Sequence, residues 1–399
     1  MKRLIFFVGV YDKLDIFTYE LIREFEELDY ETMLFDVRKM DESLQKLAQF
    51  ITKPVKVMIT FNNLGFNMEL QKGKNIWEEL NIPCVNILMD HPFCYRNAMQ
   101  TAPYNAVVLC IDRNHMKYLQ RFHPNISTVG YLPHGGKDLQ IVREPIAERK
   151  IDVMYAGNLS STFAENVIPD LSKYTKFNPI ELCKETYQEL IAHPWKTTEE
   201  VLEEMLTSRG IYLEEEELSE VISDLHFVDL YAVGYYREKA VKVLAEQGVN
   251  ITLYGDGWSK CDWIHLPNVY YGGLISADEV VEHMQDTKIV LSTMTWFKDG
   301  THDRVFNGML AGAVAVSDTS GYMEEEFIGH RNADGSDDRE MLLFKLEEIE
   351  KMPLEVMELI EKPDLAQKIA DRGYEKAKKY HTWKARAREL ENDLLSQME

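Results

Sequence analysis

The chain has 399 residues, which is too many for one ordinary hydrophobic core and predicts domains of about 150 residues each. Hydrophobic residues make up 45% and charged residues 28% of the sequence, a balance that excludes a disordered chain. Lys and Arg number 44 against 67 Asp and Glu, a net charge of −23, so nucleic-acid duplexes and anionic membranes would be repelled and are not expected partners.

The N-terminal run of residues 4–11 follows Lys2 and Arg3 in the manner of a signal peptide. Asp12 and Lys13 end this run with no small-residue cleavage site, so we predict a buried first strand instead. No later apolar stretch approaches the roughly 18 residues that a membrane-spanning helix needs. The five cysteines include no Cys-x-x-Cys pair, which indicates reduced thiols and a cytoplasmic protein.

Residues 1–140 predict a first Rossmann-like domain, because short apolar runs alternate with segments of helical periodicity as in βα units around a parallel sheet. The runs are RLIFFVGV, TMLFDV, KVMITF, CVNILM, AVVLCI and STVGYL; the helical segments are FTYELIREFEEL, ESLQKLAQFI, NIWEEL and HMKYLQRF. LPHGG at residues 132–136 and the polar stretch after it are typical of an interdomain connection.

Residues 141–399 predict a second Rossmann-like domain. Its strands are IDVMYAGN, ITLYGDGW, NVYYGG, KIVLSTM and AVAVSD, and its helices include YYREKAVKVLAEQ, ADEVVEHMQ and HDRVFNGMLAG. At about residues 161–227 the strand pattern stops, and acidic helical segments such as PIELCKETYQELI replace it. This segment is predicted to be a helical insertion, either a solvated decoration or a platform for an acceptor or partner. The fold class is therefore α/β.

The densest chemical signal is WFKDGTHDRVFNGMLAGAVAVSD, residues 296–318. A strand, a turn at Gly300 and a helix that opens near Thr301 together predict an anion site, since the first backbone N–H groups of the helix and its dipole point at the ligand. Arg304 lies one turn from this site and can supply a fixed positive charge for a phosphate.

From this motif on, the second domain resembles the nucleotide-sugar-binding half of GT-B glycosyltransferases, especially the spore-maturation-type, group 1-like proteins. Their signature of Arg-x-Phe-Glu followed by small residues stands here as RVFNGMLAG, with Asn307 in place of the Glu that binds ribose hydroxyls. Asp299 falls on the other acidic position of that pattern. The tail HTWKARARELE is similar to the closing helix of the family, which usually crosses back to the first domain.

The resemblance implies a nucleoside diphosphate sugar as donor, with a UDP-sugar expected, and no cofactor or metal, because helix dipoles and basic side chains stabilise the leaving diphosphate. The candidate donor-binding residues are Asn158, Arg237, Lys239, Tyr254, Gly255, Trp296, Asp299, Gly300, Thr301, Arg304 and Asn307. Ordinary structural roles stay open for Arg237 and Lys239 as surface charges, for the YGDGW glycines as a turn, and for Trp296 as a core aromatic.

The acceptor is expected on the first domain, at the carboxyl ends of its strands. An inverting transferase needs a base there to take the proton of the acceptor hydroxyl. Asp12 follows the first strand, and Asp90 with His91 follows CVNILM. The alternative is a loop-stabilising Asp-His-Pro turn.

The predicted function is transfer of a sugar to a hydroxyl of a glycan, a protein or a small molecule. Two other functions stay open: a sugar-nucleotide epimerase, which uses the same architecture, and a non-catalytic partner subunit of a transferase. Asn307 in place of Glu is the kind of change that such a subunit would contain.

Overall fold

A computed structural model describes residues 2–10, 12–139, 142–159, 171–332 and 337–398, apart from the side chain of Asp12. The chain divides into two compact units: Met1–Lys137 with His381–Glu399, and Asp138–Tyr380. Each unit contains a six-stranded sheet in which every pair of neighbouring strands is parallel. The predicted α/β class with two Rossmann-like domains is therefore confirmed.

The first unit contains all six strands that the apolar runs predict. Its strands are β1 (Arg3–Val8), β2 (Glu31–Asp36), β3 (Val57–Phe61), β4 (Glu69–Gln71), β5 (Lys74–Asn75), β6 (Cys84–Leu88), β7 (Ala106–Cys110) and β8 (Thr128–Tyr131). Its helices include α1 (Asp12–Glu27), α2 (Met40–Phe50), α3 (Ile76–Glu79), α4 (Arg96–Gln100) and α5 (Arg113–Phe122). The sheet order is β2-β1-β3-β6-β7-β8, and β4 and β5 form a separate hairpin.

The second unit has the strand order of a doubly wound nucleotide-binding sheet, β11-β10-β9-β12-β13-β14. Its strands are β9 (Ile151–Ala156), β10 (Ile251–Tyr254), β11 (Val269–Tyr271), β12 (Thr287–Ser292), β13 (Val314–Asp318) and β14 (Leu342–Phe344). The order of the strands reverses between β9 and β12. Ligands of such sheets bind outside the carboxyl ends of the strands at this reversal.

Helices of the second unit cover the sheet, and several of them lie within residues 161–227, where the insertion is predicted. They are α6 (Pro179–Ala192), α7 (Thr198–Ser208), α8 (Glu215–Leu225), α9 (Phe227–Glu246), α10 (Ala277–Gln285), α11 (Asp303–Leu310), α12 (Gly321–Glu326), α13 (Met352–Glu361) and α14 (Pro363–Tyr380). The insertion is packed against the domain: the Tyr236 hydroxyl on α9 donates to the Ile191 carbonyl at 2.6 Å. The start of the predicted insertion, residues 161–170, lies outside the described residues.

After α14 the chain contributes a last α-helix, α15 (Trp383–Glu389), to the first unit. Trp383 is buried, and its ring lies 4.8 Å from that of Phe17 and 5.6 Å from that of Phe61. A Cβ on Gly135 would lie 2.8 Å from the Trp383 backbone nitrogen, which explains a glycine in LPHGG. Within the described part of the chain, none of the helices combines the length and apolar character that crossing a membrane requires.

Candidate functional site

The side chains of two arginines, Arg304 and Arg237, lie at the point where the strand order of the second sheet reverses. Arg304, in the first turn of α11, is 7% exposed; it donates to the Ser292 hydroxyl at 3.3 Å, and its Cζ lies 5.3 Å from the centre of the Tyr155 ring. Ser292 ends β12 and Tyr155 is the last residue but one of β9. Arg304 therefore lies where β9 and β12 diverge, the position expected of a ligand-binding residue in this sheet.

Arg237 on α9 supplies the second guanidinium and donates to the Asn158 carbonyl. Burial lowers the pKa of Arg237, the Tyr155 hydroxyl raises it, and the charge of Arg304 lowers it again. Among the described residues, neither arginine forms an ion pair with a carboxylate. Two arginines with fixed charge and planar donors suit a phosphate or diphosphate.

Two glycine-containing loops pack together beside the arginines. The Asp256 amide donates to the Asn158 side chain at 2.9 Å, and the Gly157 amide donates to the Tyr254 carbonyl at 2.9 Å. Gly255 has φ +123°, a conformation that favours glycine. A Cβ on Gly157 would lie 3.1 Å from Arg304 Nη2, so any side chain at this position would crowd the guanidinium group.

Helix α11 begins with a side-chain cap. His302 Nδ1 accepts a hydrogen bond from the Arg304 amide at 3.2 Å and lies 2.6 Å from an Asp303 oxygen. The cap satisfies one of the free N–H groups of the first turn. Asn307 donates to the other Asp303 oxygen at 3.2 Å, so its amide is oriented along the same side of the helix.

The loop between β12 and α11, residues 293–302, is fixed by the turn after β13. The Met294 amide donates to Asp318 Oδ1 at 2.5 Å, the Ser320 hydroxyl donates to the Gly300 carbonyl at 2.6 Å, and the Gly321 amide donates to the Lys298 carbonyl at 2.9 Å. Burial raises the pKa of Asp318 to about 6, and hydrogen bonding from Met294 and the charge of Lys298 oppose that rise.

The structure places other predicted donor residues around this loop. Asp299 lies beside the Gly321 backbone, and Trp296 is half-buried with its ring 6.3 Å from that of Phe297. Thr301 is fully buried and its hydroxyl has no hydrogen-bond partner among the described residues. Neither the backbone nor the side chain of Thr301 is therefore exposed at the surface of the site.

Lys239 and Tyr254 point away from the two arginines. Two residues along a helix correspond to a turn of about 200°, and Lys239 accordingly pairs with Glu350 at 3.2 Å. The Tyr254 ring stacks on His283 at 4.9 Å and belongs to the core under α10.

The adjacent Asp90 and His91 of the first unit have different neighbours. Asp90 Oδ2 accepts from Asn62 Nδ2 at 2.8 Å and from the Tyr95 hydroxyl at 2.9 Å. His91 Nδ1 accepts from the Phe93 amide at 3.1 Å, and its ring stacks on Phe93 at 3.7 Å. His91 thus caps the short helical turn that contains Pro92. Asp12 is the first residue of α1, and its side chain lies outside the described residues.

Sequence reasoning missed Tyr155, Ser292 and Asp318. All three lie at or next to the carboxyl ends of neighbouring strands of the second sheet, which is the signal that could have identified them. Among the described residues, no group of three or more His, Cys, Asp or Glu side chains could hold a metal ion.

Comparisons with known proteins agree with this fold. Residues 237–392 match the family described as glycosyl transferase-like, and the chain has no match among curated protein sequences. An α-glucosyltransferase in complex with UDP shares 12% identity at a TM-score of 0.59, with 100% of each chain covered. HepE from Anabaena, in complex with UDP and glucose, shares 11% identity at a TM-score of 0.55, covering 99% of this chain and 100% of that one.

Sucrose-phosphate synthase from Thermosynechococcus elongatus shares 10% identity at a TM-score of 0.54, covering 100% of this chain and 99% of that one. At these identities the structural similarity establishes the fold, and the family match extends over most of the second unit. The chain therefore shares the two-domain fold of these glycosyltransferases, and residues 237–392 are similar to the glycosyl transferase-like family.

Proposed function

We propose that the protein transfers a sugar from a nucleoside diphosphate sugar, a UDP-sugar, to an acceptor hydroxyl without a metal ion. The observation that supports this most is the pair Arg237 and Arg304 at the reversal of the second sheet. UDP is bound in the solved structures of the α-glucosyltransferase and HepE, which share this fold.

In the proposed reaction, the acceptor oxygen forms a bond to the anomeric carbon of the donor sugar, and the bond from that carbon to the diphosphate oxygen breaks. The diphosphate leaves with the electron pair, and the two guanidinium groups together with the N-terminal amides of α11 stabilise its charge. Both arginines are oriented before the donor binds, Arg304 by Ser292 and Arg237 by the Asn158 carbonyl. Their charge stabilisation then requires little reorganisation during the reaction.

For the acceptor we propose Asp90 as the base that takes the hydroxyl proton if the product is inverted. Both of its described hydrogen bonds go to Oδ2, so Oδ1 has lone pairs for the acceptor. His91 is a weaker candidate, because Nδ1 already accepts a hydrogen bond and the proton of a neutral ring then sits on Nε2. We assign His91 to holding the loop that carries Asp90.

The test is calorimetric titration of UDP into Arg304→Ala, Arg237→Ala and Lys239→Ala. The Lys239 variant is a matched control, because it also removes one positive charge from α9, where Lys239 pairs with Glu350. Each arginine variant should lose about 1.5–3 kcal/mol of UDP binding free energy, and the lysine variant should bind as wild type does. Equal affinities in all three variants with intact folding would contradict the proposal.

A further inference from the structure

Besides the arginine pair, the second unit contains a pocket with a volume of about 250 Å³. It is bounded by the loop after β12, by the turn after β13 and by the loop between α6 and α7 of the insertion. Its walls include Trp195, Phe297, Lys298, Ser320, Glu324 and Lys345. Neither Arg237 nor Arg304 is among the lining residues, so the pocket does not contain the arginine pair of the proposed diphosphate site, although both border the loop after β12.

Lys298 fixes the insertion as one wall of the pocket. Its ammonium group donates to the Pro194 carbonyl at 2.5 Å and also to the Thr295 carbonyl. Its own carbonyl accepts from the Gly321 amide at 2.9 Å. One residue thus joins three segments: its side chain contacts the insertion and the loop after β12, and its backbone contacts the turn after β13. These contacts hold the walls of the pocket in place.

Trp195 gives the pocket an exposed aromatic surface. Its side chain is 56% exposed, although large aromatic side chains are usually buried to a high degree. The His193 ring meets the indole at 5.1 Å in a nearly perpendicular arrangement of 85°. An indole beside a polar cavity combines an apolar ring face with hydrogen-bonding neighbours, a combination that matches the C–H face and hydroxyl groups of a sugar.

The charges of the pocket favour a neutral, hydroxylated ligand. Glu324 and Glu347 line it together with Lys345, so hydroxyl groups can both donate to carboxylates and accept from an ammonium group. A phosphate would face three carboxyl groups, since Asp318 also lines the pocket, and Lys298 already donates to two carbonyls. The volume is below the roughly 300–1,000 Å³ of sites for drug-sized ligands, which suits a single ring.

We infer that this pocket binds one neutral sugar ring stacked on Trp195, as a carbohydrate site additional to the proposed donor site. The inference assigns a role to the insertion: its loop between α6 and α7 supplies the stacking surface. It does not depend on which nucleotide the arginine pair binds.

Ligand-observed NMR by saturation transfer tests the inference with free glucose, galactose and N-acetylglucosamine as separate probes. Saturation transfer to at least one sugar is expected with wild type, and Trp195→Ala should weaken binding of that sugar by up to about tenfold, because one aromatic contact is lost. Tyr212→Ala is the matched control: Tyr212 is 78% exposed in the insertion and does not line the pocket.

Three outcomes would overturn the inference: no transfer to any of the sugars, equal transfer in wild type and Trp195→Ala, or displacement of the sugar by UDP, which would make the pocket part of the donor site. Uridine that binds in a Trp195-dependent manner while the sugars do not would also overturn it. UDP calorimetry on the same samples separates the two proposals. If the wild-type protein binds a sugar but does not bind UDP, the donor site alone is contradicted.

Discussion

The Asp318 carboxylate accepts a hydrogen bond of 2.5 Å from the Met294 amide. This bond joins the end of β13 to the loop of residues 293–302 that follows β12. Asp318 is buried, and its pKa is raised to about 6, chiefly by burial. The folded protein therefore holds this proton more tightly than the unfolded chain does, and stability falls as the pH rises from about 4 to about 6.

Asp318→Asn should remove this pH dependence, because the amide oxygen can still accept from Met294 but the group cannot ionise. At about 1.4 kcal/mol per pH unit, wild type should lose roughly 3 kcal/mol of unfolding free energy over this window relative to the variant. Urea denaturation of both proteins in steps from about pH 4 to about pH 7 measures the difference. Parallel stability curves would show that Asp318 does not titrate in this range.

Thr301→Val should leave UDP affinity within about twofold of wild type, because the Thr301 hydroxyl is buried away from solvent. Valine has nearly the same shape and removes a buried hydroxyl without a described partner, so the free energy of unfolding should rise by up to about 1 kcal/mol. Thermal denaturation and calorimetry measure the two quantities. A large loss of UDP affinity would mean that the hydroxyl rotates to contact the donor.

Asp90→Asn should lower kcat by about 10²–10⁴-fold with unchanged UDP affinity, if NMR shows that the product is inverted. His91→Asn should retain most of the rate, because asparagine also caps a helical turn, whereas His91→Ala loses the bond to the Phe93 amide. Equal, large losses in both His91 variants would instead identify His91 as the base. Asp12→Asn serves as the third variant, and a large loss in it alone would move the base to α1.

Arg386→Met should destabilise the protein by about 2–4 kcal/mol. Arg386 is almost fully buried and donates to the His134 carbonyl and to His381 Nδ1, each at 3.1 Å, and to Glu389, so its removal takes a donor away from two buried acceptors. Lys384→Ala, two residues away, removes an exposed pair with Glu27 and a pair with the buried Glu24, which Arg23 also contacts, and should cost less than Arg386→Met does. Similar melting temperatures for the two variants would contradict the assignment.

The apolar runs of the sequence predicted the parallel strands well, because a strand buried on both faces must be continuously apolar. They missed β14 and the β4–β5 hairpin, which have three residues or fewer per strand and too little pattern to recognise. The helix α11 with Arg304 was also predictable, since Gly300 and the helix start are visible in the chain.

Side-chain direction was harder to predict than position. Arg237 and Lys239 are two residues apart on α9, and the structure brings only the first of them to Arg304. Asp90 and His91 are neighbours in sequence, yet one contacts Asn62 and Tyr95 and the other Phe93. Asp90 has a partner from a distant segment, whereas His91 caps a local turn. A single sequence does not show which kind of partner a polar side chain will have.

The division of the first unit between Met1–Lys137 and His381–Glu399 has a consequence for biosynthesis. The ribosome completes Asp138–Tyr380 before it makes Trp383, whose ring fills the space between Phe17 and Phe61. The hydrophobic core of the first unit is therefore incomplete until α15 has been translated, and α15 is translated after the entire second unit. A nascent chain released before Trp383 would expose that apolar surface and be a substrate for chaperones or for aggregation.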